Sequence, residues 1–86
     1  IVAVEPSGFI FGSALAYRLH LPLVLVREPG KTPSLVETVD YYDNSGLSSL
    51  EIDRYSLPPG MIVLVVNDVL DRGARARAGC ELVEKM

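Results

Sequence analysis

"IVAVEPSGFIFGSALAYRLHLPLVLVR", residues 1–27, decides the fold. Its first five residues form an apolar run ending in an acid, Glu5, and read as a buried strand. "PSG" (6–8) turns the chain. From Phe9 to His20 the spacing becomes helical. Phe11, Ala14, Leu15 and Leu19 share one face, the one expected to pack, and Arg18 and His20 are left to solvent. Ser7 is the expected N-cap, and His20 sits where a helix dipole favours a basic group. "LPLVLVR" (21–27) is a second apolar strand. Two such strands joined by a helix imply a parallel sheet covered on both faces.

The remainder of the chain extends this α/β pattern. "EPGKTPS" (28–34) holds two prolines and a glycine and cannot continue a strand. "LVETVDYY" (35–42) and "LSSLEID" (47–53) partly alternate around "DNSG" (43–46), which reads as a hairpin with one wet face. Of the neighbours Tyr41 and Tyr42, one is therefore expected packed and the other exposed. "LPPG" (57–60) breaks the chain, and "MIVLVV" (61–66) reads as a third buried strand. After the turn "NDVLDRG" (67–73), Ala76, Cys80 and Val83 lie at helical spacing in a helix running to about Lys85. Cys80 is expected on its inward face as a small core residue. The order is β-α-β, hairpin, β-α.

Ligands of parallel sheets bind beyond the carboxyl ends of the strands. Three segments meet there: Glu5 to Gly8, Arg27 to Lys31, and Asn67 to Arg77. Each has two readings. The last is either a phosphate site in which arginine forks replace a backbone cradle, or a solvated strand-to-helix turn. Asp68 is a ligand-binding carboxylate, or an acid complementing the helix dipole. Arg27 and Lys31 are anion ligands, or surface partners of Glu28 and Glu37. Glu5 reads as a strand-end acid bonding the next turn.

Composition bounds the rest. The 86 residues are 49% hydrophobic and 22% charged, with a net charge of −3. That describes one globular domain, residues 1–86, with no general affinity for nucleic acid or membranes. The chain starts at Ile1 rather than at a methionine, and the domain is expected to be incomplete at both ends. No apolar run approaches the roughly 20 residues of a membrane helix. A single cysteine makes no internal disulfide, which fits a reducing cytoplasm or organelle matrix.

"GFIFG" (8–12) after a strand-end acid, "VREPGKTP" (26–33), "SLEI" (49–52), "PPG" (58–60), and an apolar strand leading into "NDVL" (67–70) occur in one order. In that order they resemble the adenine branch of the type I phosphoribosyltransferases. The resemblance covers essentially the whole chain. It implies a Rossmann-like parallel sheet with helices on its faces and a flexible hairpin over the active site. It also implies a purine-salvage reaction in which adenine and phosphoribosyl pyrophosphate give AMP and pyrophosphate with Mg²⁺. Within it, Arg27, Lys31 and Ser7 fall at pyrophosphate-binding positions, Ser7 where an arginine is usual. Asn67, Asp68, Arg72, Gly73 and Arg75 fall at ribose- and phosphate-binding positions, and Asp68 is the candidate metal ligand.

The departures from the family pattern are specific. An acidic pair becomes Asn67 and Asp68. An Ala-Thr-Gly-Gly-Thr cradle becomes Asp71, Arg72, Gly73, Ala74 and Arg75, and Ala74 disfavours the positive φ that glycine permits. The proposed catalytic glutamate falls at Asn44, which hydrogen-bonds a base but is no general acid or base near neutral pH. These losses point first to a non-catalytic relative acting as a structural or interaction subunit. Its sheet edges would be covered by another chain in a homodimer or larger assembly. The alternatives are the enzyme itself, and a non-catalytic sensor of phosphoribosyl pyrophosphate or a nucleotide such as AMP.

Overall fold

A computed structural model describes residues 1–43, 46–67 and 73–86. It contains β1 (Val2–Val4), α1 (Gly8–Leu19), β2 (Val24–Arg27), β3 (Val36–Asp43), β4 (Gly46–Asp53), β5 (Val65–Val66) and α2 (Ala74–Glu84). The strands form one sheet in the order β3-β4-β2-β1-β5. β1 runs parallel to β2 and to β5. The hairpin is not a separate flap. It continues the sheet, with β4 antiparallel to β2 through Val26↔Ile52 and Arg27↔Glu51, so the sheet is mixed. From Leu50 back to Gly46, β4 extends past its pairing with the carboxyl end of β2.

The two helices cover opposite faces. A Cβ on Gly12 would lie 2.6 Å from Ala3 Cβ, whereas a Cβ on Gly79 would lie 3.1 Å from Val4 Cγ2. Ala3 and Val4 are strand neighbours and so point to opposite sides. The main core lies on the α2 side, where Val2, Val4, Val26, Val39, Leu50 and Ile52 meet Ala78 and Leu82. Tyr41 is packed and Tyr42 exposed, as alternation requires. Among the described residues no helix is long and apolar enough to cross a membrane.

Several sequence expectations are corrected. α1 buries Gly8, Gly12 and Ala16, while Phe11 and Leu19 are exposed. The helix turns its smallest residues inward because they alone let its backbone approach β1 and β5. α2 does the same with Ala78 and Gly79 beside Leu82, leaving Cys80 exposed. β2 is buried on one side only, and Leu23 and Leu25 are partly open. Of "MIVLVV" only Val65–Val66 is strand; Met61, Ile62 and Leu64 are exposed. The ladder can be no longer than its partner, and β1 is only 3 residues long. Ser7 occupies the N-cap position but makes no side-chain cap bond. His20 closes α1 through its backbone, in a left-handed conformation at φ 57°.

Candidate functional site at the carboxyl ends of the strands

The expected convergence is present, and Glu5 is at its centre. Its N–H donates to Val26 O at 2.9 Å, prolonging the β1–β2 ladder by one step. That fixes the carboxylate under the loop that follows β2, where the residue is 5% exposed. Lys31 Nζ donates to Glu5 Oε2 at 2.7 Å, and Arg27 Nε stands 3.6 Å from Oε1. Glu5 thus holds the two cations of the second segment rather than the turn that follows it. Arg27 also donates through an η nitrogen to Lys31 O at 2.8 Å.

A second buried acid holds the same loop from the other side. Glu51, paired with Arg27 in the sheet, accepts the Gly30 N–H on Oε1 at 2.8 Å and the Thr32 N–H on Oε2 at 2.9 Å. Its role was not anticipated. The signal was an acid between Leu50 and Ile52 in a strand, where a charge needs partners. Lys31 also reaches Glu28, at 4.0 Å, but Glu37 pairs with Arg54 at 3.0 Å and not with Arg27 or Lys31.

The third segment closes on the first. A Cβ on Gly8 would lie 2.6 Å from Val66 O, so the start of α1 abuts the end of β5 beside the half-buried Asn67. Gly73 is the N-cap of α2 at φ 71°, a value that favours glycine. Arg75, in the first turn of α2, donates to the main-chain O of Glu5. Its guanidinium carbon is 6.0 Å from the centre of the Tyr41 ring. Asn44, Asp68, Asp71 and Arg72 lie outside the described residues. Ser7 stands at the N-cap position of α1.

The electrostatics follow from burial and pairing. Burial alone would raise the Glu5 carboxyl, but the Lys31 ammonium outweighs it and holds the group below its ordinary value of 4.5. Glu51 is likewise lowered: burial opposes, and the hydrogen bonds donated by the Gly30 and Thr32 amides prevail. The Glu5 contact raises Lys31 above 10.5. Carboxylates lowered on folding add stability above pH 4.5 that is lost as pH falls through their folded values. Lys31 adds stability below pH 10.5 that is lost as pH rises through its folded value.

A prediction follows for Lys31→Met, which leaves Glu5 buried beside Arg27 alone. The variant should lose stability at neutral pH, by less than breaking a fully buried pair costs because Lys31 is half-exposed. Its loss of stability below pH 4.5 should also be shallower than in the unmodified chain, as urea midpoints between pH 3 and 7 would show. Parallel acid limbs would contradict the pairing.

What this arrangement can do is receive an anion. Arg27, Lys31 and the amino end of α2 are gathered around Glu5 at the end of β1. Among the described residues no three His, Cys, Asp or Glu side chains are grouped to hold a metal ion. Mg²⁺ usually takes one or two carboxylates plus ligand phosphates, so the protein ligand implied by resemblance is Asp68 alone. At the opposite, amino end of the strands lies an apolar cavity of about 680 Å³, remote from these charges.

Comparison with known proteins agrees with this fold. The phosphoribosyl transferase domain matches residues 1–86. The adenine phosphoribosyltransferase of Rubrobacter xylanophilus is 51% identical over 99% of this chain and 46% of its own length. That of Chloroflexus aurantiacus is 43% identical over 98% of this chain and 49% of its own. The crystal structure of the Thermoanaerobacter pseudethanolicus adenine phosphoribosyltransferase superposes with a TM-score of 0.93 at 40% identity, covering 98% of this chain and 49% of that one. The Saccharomyces cerevisiae adenine phosphoribosyltransferase, complexed with D-2,5-dideoxy-2,5-imino-altritol 1,6-bisphosphate and adenine, gives 0.93 at 37% identity over 98% and 48%. The chain spans about half the length of the relatives it matches.

Proposed function

Because this chain belongs to the phosphoribosyl transferase domain family, we propose that it forms the phosphoribosyl pyrophosphate-handling half of an adenine phosphoribosyltransferase. The reaction is that of purine salvage: adenine displaces pyrophosphate at the sugar to give AMP. The observation that carries this reading is the meeting of Arg27, Lys31 and the amino end of α2 around Glu5. Arg27 and Lys31 receive the pyrophosphate end of the substrate, and the turn around Gly73 receives the 5′-phosphate. Holding both ends in line with the base supplies most of the barrier reduction in such a transfer. Asp68 would help to hold Mg²⁺, which would supply charge neutralisation at the leaving group.

On residues alone, the departures at Asn44, Asn67 and 71–75 rank a non-catalytic subunit first. The identity of this chain to adenine phosphoribosyltransferases supports the opposite order. One observation still favours the non-catalytic reading. Arg75 stands at a cradle threonine position and is engaged with Glu5 O and the Tyr41 ring. A regulatory module that binds phosphoribosyl pyrophosphate without turnover lies between the two.

Calorimetric titration with phosphoribosyl pyrophosphate and Mg²⁺, followed by an assay of AMP formation, separates them. Binding with turnover is the expected result. Binding without turnover establishes the sensor, and absence of both leaves the scaffold. We further propose a second protein chain as partner, since Ile10, Phe11 and Tyr17 leave an apolar face of α1 open. Sedimentation of the same samples as a monomer would contradict that.

A further inference from the structure

Glu51 points away from the main core, because its strand neighbours Leu50 and Ile52 are the residues packed there. It is nonetheless only 4% exposed, since the loop after β2 folds back onto it. Burying a carboxylate in a strand costs stability, and an apolar residue would fill the position without that cost. The two Glu51 oxygens take the N–H groups of Gly30 and Thr32, one each, at 2.8 and 2.9 Å. Those amides flank Lys31. The carbonyl between them, Lys31 O, accepts from Arg27 at 2.8 Å, and Arg27 is the partner of Glu51 in the β2–β4 ladder. The main chain around Lys31 is therefore pinned on both sides by one side chain. Gly30 holds the turn at φ 84°, a conformation that glycine allows at little cost but does not select. The bonds to Glu51 select it.

We propose that Glu51 is a positioning residue for pyrophosphate: by fixing the main chain on either side of Lys31, it sets where the Lys31 ammonium and the Arg27 guanidinium stand. The identity of the ligand rests on the proposed function. Both Glu51 oxygens are engaged by the loop, so the residue acts through Arg27 and Lys31. The role needs a carboxylate. Glutamine offers one acceptor oxygen and would turn an NH₂ donor toward the second amide, leaving that N–H without a partner.

Calorimetric titration of pyrophosphate with Mg²⁺ into the whole chain is the test, at a temperature where every variant is folded. Glu51→Gln should weaken binding roughly tenfold, the effect of one hydrogen bond to a charged group. Glu51→Asp keeps the charge but is one methylene too short to reach both amides, and should weaken binding as well. Gly12→Ala, destabilised where α1 meets Ala3, should bind as the unmodified chain does. In the AMP assay, Glu51→Gln should raise KM for phosphoribosyl pyrophosphate and leave KM for adenine unchanged, a split that loss of stability alone would not produce. Unchanged binding in Glu51→Gln or Glu51→Asp overturns the proposal. So does equally weakened binding in Gly12→Ala, or failure of the unmodified chain to bind pyrophosphate. The two readings fail separately. Glu51-dependent binding with no AMP formed keeps the positioning role and removes the enzyme. AMP formation with KM values indifferent to Glu51→Gln does the reverse.

Discussion

Gly8→Val should destabilise the chain by about 3 kcal/mol, the upper end of what overpacking usually costs. A Cβ at this position would sit 2.6 Å from Val66 O and 3.5 Å from Asn67 Cα. Both are backbone atoms of the β5 segment, which is held to β1 by its ladder and cannot turn aside as a flexible side chain would. Gly12→Ala tests the same principle against an opposing effect. Alanine improves helix propensity over glycine by about 1 kcal/mol in a helix interior. The new methyl, however, would stand 2.6 Å from Ala3 Cβ on β1. The clash should win, leaving a net loss, since α1 can relieve it only by moving off the sheet. Domains of this kind are stable by only about 5–15 kcal/mol, so Gly8→Val should appear in urea unfolding as a large shift of midpoint. A change within about 0.5 kcal/mol, the range of ordinary surface substitutions, would mean that α1 does not seat on the sheet as described.

The second large effect concerns turnover. Asn44→Glu is expected to raise AMP formation about 100-fold, the lower end of what a positioned general acid or base contributes. Asn44 follows Asp43, the last residue of β3, and is where the family resemblance places the proposed catalytic glutamate. Asparagine offers hydrogen bonds there but no proton to exchange near neutral pH. The gain should be nearer the low end of the range because the turn at 71–75 keeps its altered residues. The rate of Asn44→Glu should also acquire a pH dependence in the carboxylate range that the unmodified chain lacks. An unchanged rate and pH profile would remove the hairpin carboxylate from the account, and would shift the deficit to the phosphate turn.

Glu5 and Glu51 show how the site is stabilised. Each is buried, and each uses both carboxylate oxygens on the 27–32 loop. The 27–32 segment is therefore held in place by two buried acids. The cost of burying these acids is offset by charge-assisted bonds, which are roughly twice as strong as neutral ones. It also explains why the cations are not free surface groups, as their sequence context beside Glu28 allowed.

The order of elements was legible from the chain alone. An apolar run, a helical period, a second apolar run and an alternating pair around "DNSG" leave few other arrangements. The parallel pairing of β1 with β2 and the meeting of three loops at one edge follow from that order. So does the division between Tyr41 and Tyr42, because strand alternation is a local property. Which face each helix buries was not legible. Periodicity weighs large apolar side chains, and by that measure Phe11 and Leu19 should have packed. Only the assembled sheet shows that β1 and β5 lie too close to α1 for anything larger than Gly8, Gly12 and Ala16. The pairing of Lys31 with Glu5, 26 residues away, and the two amide bonds of Glu51 were equally out of reach. A charge finds its partner through distances set by tertiary packing, and spacing along the chain carries no record of them.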